Sequence, residues 1–483
     1  MKSSFALHVG NRVFSIVASI GLTAILARLI SPSEYGYFGI LLLLAQLTAV
    51  LPTAVGTELI QNRGAGDDHS ARVLGLTLVW AAAAAVLSLA CMPFLPIDTS
   101  DPWQVSFYLA QSLVAVPLTS LSAYLDAYQA RRGHYIQTIK ADFIANLVGS
   151  YAITLTLALA GFGAGALILG TAGYFVVKSA LQIYGGAWVS PSFRGLGSTI
   201  RGSGWLVASQ VANYFGRNGD NIVIGRFLGI ADLGLYSRAY NLMAKPAGTI
   251  GSAVTAIFYP SFAAIQHDAE RARAMFFNAL TALTLVVAPL SVYLTLFGYE
   301  IVSVLLGSTW MDAAVPFQIL AISLYFRIGY KMTEAVSLGK GEFKAAALRQ
   351  FLYAFMVVAF SSIGAVIAGL PGAAAGVAVA LAAYFLTSFV KATRLINMSG
   401  RRVAIAQAPA MTAAAISGGI AYAFSLVFVD SPLVFIISGG ITLSALYIVV
   451  VIFFTYLRPD LPLSSILLPI VRNFKRRLRL LPY

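Results

Sequence analysis

"NYFGRNGDNIVIGRFLG" (residues 213–229) places Arg217, Asn218, Asp220, Asn221 and Arg226 inside a long apolar segment. The chain around it is apolar from end to end. Of the 483 residues, 59% are hydrophobic and 10% charged, and the mean hydropathy is +0.82. Soluble domains carry about 25% charged residues. Apolar runs close to the roughly 20 residues that cross a bilayer recur along the whole length. The polar gaps between them are too short to fold as a soluble domain. The composition predicts a single all-α, polytopic membrane protein.

Working outward from that stretch, fourteen spans are read at roughly 5–30, 35–60, 71–92, 103–130, 136–159, 164–188, 202–228, 233–262, 275–298, 313–337, 345–368, 372–396, 405–428 and 433–457. The first contains Arg12 and exceeds a signal-peptide core in length, so it is read as an uncleaved helix. Cys91 is the only cysteine, which excludes an intramolecular disulfide and a cysteine metal site.

The gaps sort by charge. The odd ones ("SPSE", "PFLPIDTSDPW", "GFGA", "GIAD", "GYEIVSVLLGSTWMD", "GLPG", "VDSP") contain no Lys or Arg. The even ones contain Arg63, Arg131 with Arg132, Arg194 with Arg201, Arg271 with Arg273, Lys340 with Lys344, and Arg401 with Arg402. Cytoplasmic loops retain Lys and Arg, so the even gaps and both termini are read as cytoplasmic. The net charge of +14 then reflects orientation and contact with anionic lipid, not nucleic acid. The basic tail "VRNFKRRLRLLPY" is read as an amphipathic segment on the inner leaflet.

The chain also echoes itself. "GLTAILARLISPSEYGYFGI" (21–40) aligns without gaps with "GDNIVIGRFLGIADLGLYSRA" (219–239), pairing Gly21 with Gly219, Arg28 with Arg226, Glu34 with Asp232 and Gly36 with Gly234. Both copies straddle an odd gap, so two six-helix halves share one orientation, as in transporters built from parallel repeats. The expected organisation is an N-terminal lobe at 1–198, a C-terminal lobe at 199–400, an extra helix pair at 401–457 and a cytoplasmic tail at 458–483.

"ISPSEYGYFGI", "DNIVIGRFLGIADLGLYSRAYNLMAKPAGTI" and "FYPSFAAIQHDAERAR" resemble segments of the Wzx-type polysaccharide flippases of the multidrug/oligosaccharidyl-lipid/polysaccharide (MOP) exporter superfamily. The resemblance implies a V-shaped, two-lobed exporter in the bacterial inner membrane. It would move undecaprenyl-pyrophosphate-linked oligosaccharides by alternating access, for extracellular polysaccharide or lipopolysaccharide synthesis. Membrane lipids, a polysaccharide polymerase and other assembly proteins would be its partners. No cofactor is implied beyond a coupling Na⁺ or H⁺. Lumen residues differ widely among such proteins, so no site residue transfers from the resemblance.

The intramembrane charges suggest where a site lies. Asn213, Arg217 and Asp220 follow i, i+4, i+7 spacing; so do Arg327, Lys331 and Glu334, while Arg238, Asn241 and Lys245 follow i, i+3, i+7. Each set occupies one helix face. A Lys, Arg or Asp at a helix centre costs about 2.5–3.5 kcal/mol on insertion scales, so such faces turn to the bundle interior or to water. Arg217, Lys245, Arg327, Arg238, Lys331 and Arg12 are the candidate substrate-binding cations, with Asn213, Asn218 and Asn241 as polar lining. Asp220 and Glu334 are the candidates for ion coupling. A structural Arg217–Asp220 pair is the plainer alternative, but it leaves the excess of cations unexplained. A surplus of buried positive charge suits an anion, and the planar arginine fork suits phosphate oxygens.

The remaining charges have local readings. Arg28 and Arg226 are expected to snorkel to headgroups. Glu58, Asp126, Asp142 and Glu334, near Arg63, Lys140 and Lys331, form either an inner gate of ion pairs or an ordinary solvated interface. Lys178, His8, His69, His134 and His267 are read as interfacial or loop residues. A cation-coupled multidrug exporter is the alternative within the superfamily, and would favour an acidic, aromatic lumen. A membrane polysaccharide polymerase or ligase is the alternative from another class. No nucleophile–base arrangement stands out, and the longest odd gap is about fifteen residues without His, Lys or Arg, so the chain is not read as an enzyme. The topology is testable with a reporter active only outside the cell: fused at residue 100 it is expected to be active and at residue 133 inactive, and full activity at 133 would overturn the alternation.

Overall fold

The computed structural model describes residues 19–62, 66–95, 101–265, 268–428 and 431–457. Arg12, Arg63, His8, His267 and the basic tail lie outside these residues. Among the described residues every regular element is helical, and ten helices are long and apolar enough to cross a membrane. A lipid environment explains this economy: only a helix or a closed barrel satisfies its own backbone donors and acceptors without water. Ser and Thr hydroxyls within the helices follow the same rule, as when Thr77 Oγ1 donates to the Val73 carbonyl at 2.9 Å.

The helix assigned to Phe343–Leu395 is a hairpin. It breaks at Ala368 and at Gly369 (φ 59°, ψ −140°), just before Pro371. A Cβ on Gly364 would stand 2.0 Å from the Gly372 carbonyl oxygen, and one on Gly372 equally close to that of Gly364. The two arms therefore run antiparallel in backbone contact, as the "GLPG" gap between two expected spans requires. The charged stretch at 213–229 lies near the end of a helix, Leu196–Phe227. After a turn at Gly229 (φ 102°) comes Ile230–Ala264, which carries Pro246 and Pro260 in its interior.

The chain divides into two compact units, Met1–Ser237 and Arg238–Tyr483. In the first, Val55, Leu59, Leu74, Tyr124 and Tyr128 form a buried cluster. In the second, Ala288, Ala410, Ala413, Ala414 and Ala421 pack with Leu443 and Tyr447. Small residues suit such contacts, because helices in lipid associate through close packing and gain little from hydrophobic burial.

Within the first unit the gaps gather as the charge alternation predicts. Turns of the odd gaps, at 33–34, 101–104, 160–164 and 230, line one cavity. The even gaps meet one another. Arg131 Nη1 donates to Ser70 Oγ at 2.8 Å, Arg132 lies 3.3 Å from Asp67, and the Ser192 amide donates to the Ala71 carbonyl.

The internal echo has a physical counterpart in the same unit. A Cβ on Gly36 would lie 1.8 Å from the Ile230 carbonyl oxygen, and a Cβ on Gly234 would lie 1.8 Å from that of Pro32. In the gapless alignment Pro32 corresponds to Ile230 and Gly36 to Gly234, so the contact is reciprocal, as across a two-fold axis. A carbonyl that close tolerates no side chain. Gly36→Ala and Gly234→Ala are each expected to lower the thermal unfolding midpoint of the purified protein. Gly21→Ala, where the added methyl meets open space, is expected to leave it unchanged.

A candidate polar site in the membrane helices

In the second unit the Leu324–Gly339 helix carries Arg327, Lys331 and Glu334 along one face. Glu334 is buried, and its two oxygens accept from Nε and Nη2 of Arg349 at 2.9 Å each. A third bond comes from Ser388 Oγ at 2.6 Å. A bidentate carboxylate–guanidinium pair with a hydroxyl on a remaining lone pair is the geometry that makes burial of two charges tolerable. Glu334 thus belongs to Arg349, on the hairpin, and not to Lys331 as its sequence neighbourhood suggested. Arg349 was missed, although it falls inside an expected span.

Arg327 is differently placed. Its Nη1 donates to the Tyr240 hydroxyl at 2.6 Å, and its guanidinium carbon sits 4.6 Å from the centre of that ring. It makes no ion pair with any described residue, and its buried Nε has no hydrogen-bond partner among them. The charge is met by a phenol and an aromatic face, and a buried donor is left over. Tyr330, Tyr353 and Tyr384 stack close by on the same pair of elements, with ring centres 4.9 Å apart for Tyr330–Tyr384 and 4.6 Å for Tyr353–Tyr384. Sequence reasoning missed these tyrosines because aromatic spacing alone does not separate a polar wall from a packed core.

Arg238, Asn241 and Lys245 lie on Ile230–Ala264, in the turns before Pro246. Arg238 and Lys245 are half-buried and Asn241 is exposed. Lys331 is half-buried, and its ammonium runs across Gly251 of that helix, where an added Cβ would come within 2.5 Å of Nζ. The structure therefore brings Lys331 and Arg327 against the helix that carries Arg238 and Lys245.

In the first unit Asn213, Arg217 and Asp220 share a face but not an environment. Arg217 is exposed, Asn213 and Asn218 half-buried and Asp220 buried. Asp220 Oδ2 accepts from the Tyr236 hydroxyl at 2.6 Å. Its Oδ1 accepts from the amide and side chain of Asn221 at 2.9 and 3.2 Å. The plainer Arg217–Asp220 pair does not form, and Arg217 makes no ion pair with any described residue. The exposed guanidiniums of Arg28 and Arg226 fit headgroup contact.

Lys178, expected to be interfacial or in a loop, is a buried partner of two acids: its side chain is 8% exposed and its Nζ lies 2.9 Å from Asp126 and 3.0 Å from Asp142. Gln182 Nε2 donates to the other oxygen of Asp126 at 2.8 Å, and the Tyr174 hydroxyl to Asp142. The two aspartates flank Lys178, not Lys140, and the network ties three helices together. His69 lies in the first turn of the Asp67–Ala90 helix, beside an even gap. It is buried, with Nε2 2.7 Å from Glu58. Each pairing joins residues on different helices, so no spacing within one helix announces it.

This geometry, with paired acids and residual cations on long apolar helices, is that of a multi-pass membrane protein. The sequence matches the polysaccharide biosynthesis protein family over residues 25–316, more than half its length, and the chain belongs to that family. Succinoglycan biosynthesis transport protein ExoT of Rhizobium meliloti is 27% identical over 332 residues, 65% of this chain and 65% of its own. The match thus spans just under two thirds of that relative. Among solved structures, lipid II flippase MurJ in an inward closed conformation superposes with a TM-score of 0.73 at 12% identity, covering 94% of this chain and 99% of that one. An inward-facing multidrug resistance MATE family transporter of the MOP superfamily gives 0.61 at 15% identity, covering 80% and 96%. At these identities the two structures establish a shared fold.

Arg349→Ala would leave Glu334 buried without its counter-charge. A stability loss of about 3–5 kcal/mol is expected, read as a lower unfolding midpoint of the purified protein. Glu334→Gln in the same chain is expected to recover part of it.

Proposed function

We propose that the protein is a flippase that carries a lipid-linked oligosaccharide across the bacterial inner membrane by alternating access. The anionic link of an undecaprenyl-pyrophosphate carrier would rest on the intramembrane cations. The observation that carries this reading is Arg327: a guanidinium in a membrane helix, held by a phenol, with a buried Nε–H that no described group accepts. A buried donor without a partner costs about 1–3 kcal/mol, more when charged, and a phosphate oxygen would relieve it. Arg217, exposed and in no ion pair with a described residue, is the corresponding cation of the first unit. Lys245, Arg238 and Lys331 add charge, Arg12 is carried forward from the sequence, and Asn213, Asn218 and Asn241 supply neutral hydrogen bonds.

Family membership supports the reading, as does a relative named as a transport protein of succinoglycan biosynthesis. Fourteen spans with both termini cytoplasmic, in two six-helix repeats and an added pair, complete the proposal. The hairpin at 343–395, the charged helices at 196–264 and the reciprocal glycine contact support it. The lobe boundaries stay at 1–198 and 199–400, with 401–457 as the pair and 458–483 as the tail.

A cation-coupled multidrug exporter would need spare acid on the polar face, and Glu334 is already matched by Arg349. On that face the match favours an anionic ligand over a cationic one. Asp220 and Glu334 are proposed as the carboxylates through which a Na⁺ or H⁺ gradient acts, each by exchanging its present partners for the ion.

Arg327→Ala and Arg217→Ala are each expected to cut translocation of lipid-linked oligosaccharide in proteoliposomes at least about tenfold, the equivalent of one 1.4 kcal/mol interaction, with the protein still folded and inserted. The lysine variants are expected to recover only part, because a point charge cannot make the two-pronged contact. Normal transport by both alanine variants would refute the site. Asp220→Asn and Glu334→Gln are expected to blunt the response to an imposed ion gradient; an unaltered response in both would remove them as coupling groups.

A further inference from the structure

The cavity formed by the odd gaps of the first unit has a different chemistry from the cationic face. It measures about 690 Å³ and is lined by Glu34, Tyr37, Asp101, Trp103, Phe107 and Phe162, among others, with no Lys, Arg or His among the described residues. That size falls in the usual range of small-molecule sites, about 300–1,000 Å³. Trp103 is 64% exposed. Its ring meets Phe107 at 6.0 Å and Phe162, edge-on, at 6.2 Å.

The carboxylates are fixed in place. Glu34 Oε2 accepts from the amide and hydroxyl of Ser31, both at 2.8 Å, in a capping box. Asp101 Oδ1 accepts from the Trp103 amide at 2.9 Å as a helix cap. Each carboxylate offers about four acceptor sites, so hydrogen-bonding capacity remains. The opposite wall is shaped to admit them. At Gly163 (φ 51°) an added Cβ would fall 1.8 Å from Glu34 Oε1, and at Gly165 one would fall 2.1 Å from the Phe107 ring.

We propose that this cavity is a saccharide-binding site at the outer mouth of the first unit, which receives sugar residues of the translocated oligosaccharide. The inference rests on the flippase reading and adds a second recognition point to it. A pyranose has apolar C–H faces and a rim of hydroxyl donors. The faces pack on Trp103 and Phe162, where contact with a flat ring is gained over many atoms. The hydroxyls donate to Asp101 and Glu34, whose charge strengthens each bond. An anion finds no cation here, so the phosphate end of the substrate is excluded and the sugar end selected. A tryptophan at a span end also anchors to headgroups, but that role requires neither paired carboxylates nor a cavity.

The test uses the full chain in lipid nanodiscs, titrated calorimetrically with the oligosaccharide released by mild acid from the producing cells' own lipid-linked precursor. Saturable binding is expected, weakened at least about tenfold by Trp103→Ala. Asp101→Asn, which preserves the helix cap, is expected to weaken it several-fold. Tetraphenylphosphonium, an organic cation, is expected not to compete. Absent binding to the unaltered protein, equal binding by both variants, or displacement by the cation would each overturn the site. Transport separates the two ideas. If the unaltered chain moves the lipid-linked oligosaccharide and Trp103→Ala does so with unchanged KM, the sugar site falls and the flippase stands. If Trp103-dependent sugar binding persists in a chain that moves none, the flippase falls and the site stands. A raised KM with unchanged kcat in Trp103→Ala supports both.

Discussion

A charge inside a bilayer must find its counterpart on the protein, in water or on a ligand, because hydrocarbon supplies none. This chain meets that constraint unevenly. Four described acids within the helices have partners: Glu334 has Arg349 and Ser388, Asp126 and Asp142 have Lys178, and Asp220 has Tyr236 and Asn221. Its cations are not all provided for. Arg327 settles for a phenol, and Arg217 has no described counter-charge. The satisfied pairs act as fasteners between helices.

The same economy governs the backbone. Where two helices approach until carbonyls nearly touch, only glycine fits, and the protein uses this in two ways. At Gly364 and Gly372 it closes one hairpin. At Gly36 and Gly234 it joins two turns related by the internal echo, each glycine seated on the residue that corresponds to the other's contact. The reciprocity turns a weak sequence similarity into a geometric one. Chance glycine matches would have no reason to meet, still less in an isologous arrangement.

Recognition in such a protein separates naturally into two chemistries. A lipid-linked oligosaccharide is anionic at its link and hydroxyl-rich at its sugars. Cations on the Leu324–Gly339 and Ile230–Ala264 helices suit the link; the acidic, aromatic cavity beneath Trp103 suits the sugars.

From hydropathy alone the chain reads as an all-helical, multi-pass membrane protein, because hydropathy is a local quantity that lipid reads directly. The sequence also identified the three polar faces, since i, i+4 spacing is fixed by helix geometry. It could not assign partners across those faces. Glu334 sits three residues from Lys331 yet bonds to Arg349, and Lys178 looks interfacial yet lies between Asp126 and Asp142. The cavity of Glu34, Asp101, Trp103 and Phe162 was likewise invisible, its members scattered over three gaps. Ion pairing and cavity shape depend on which helices pack and at what rotation, and only tertiary structure decides that.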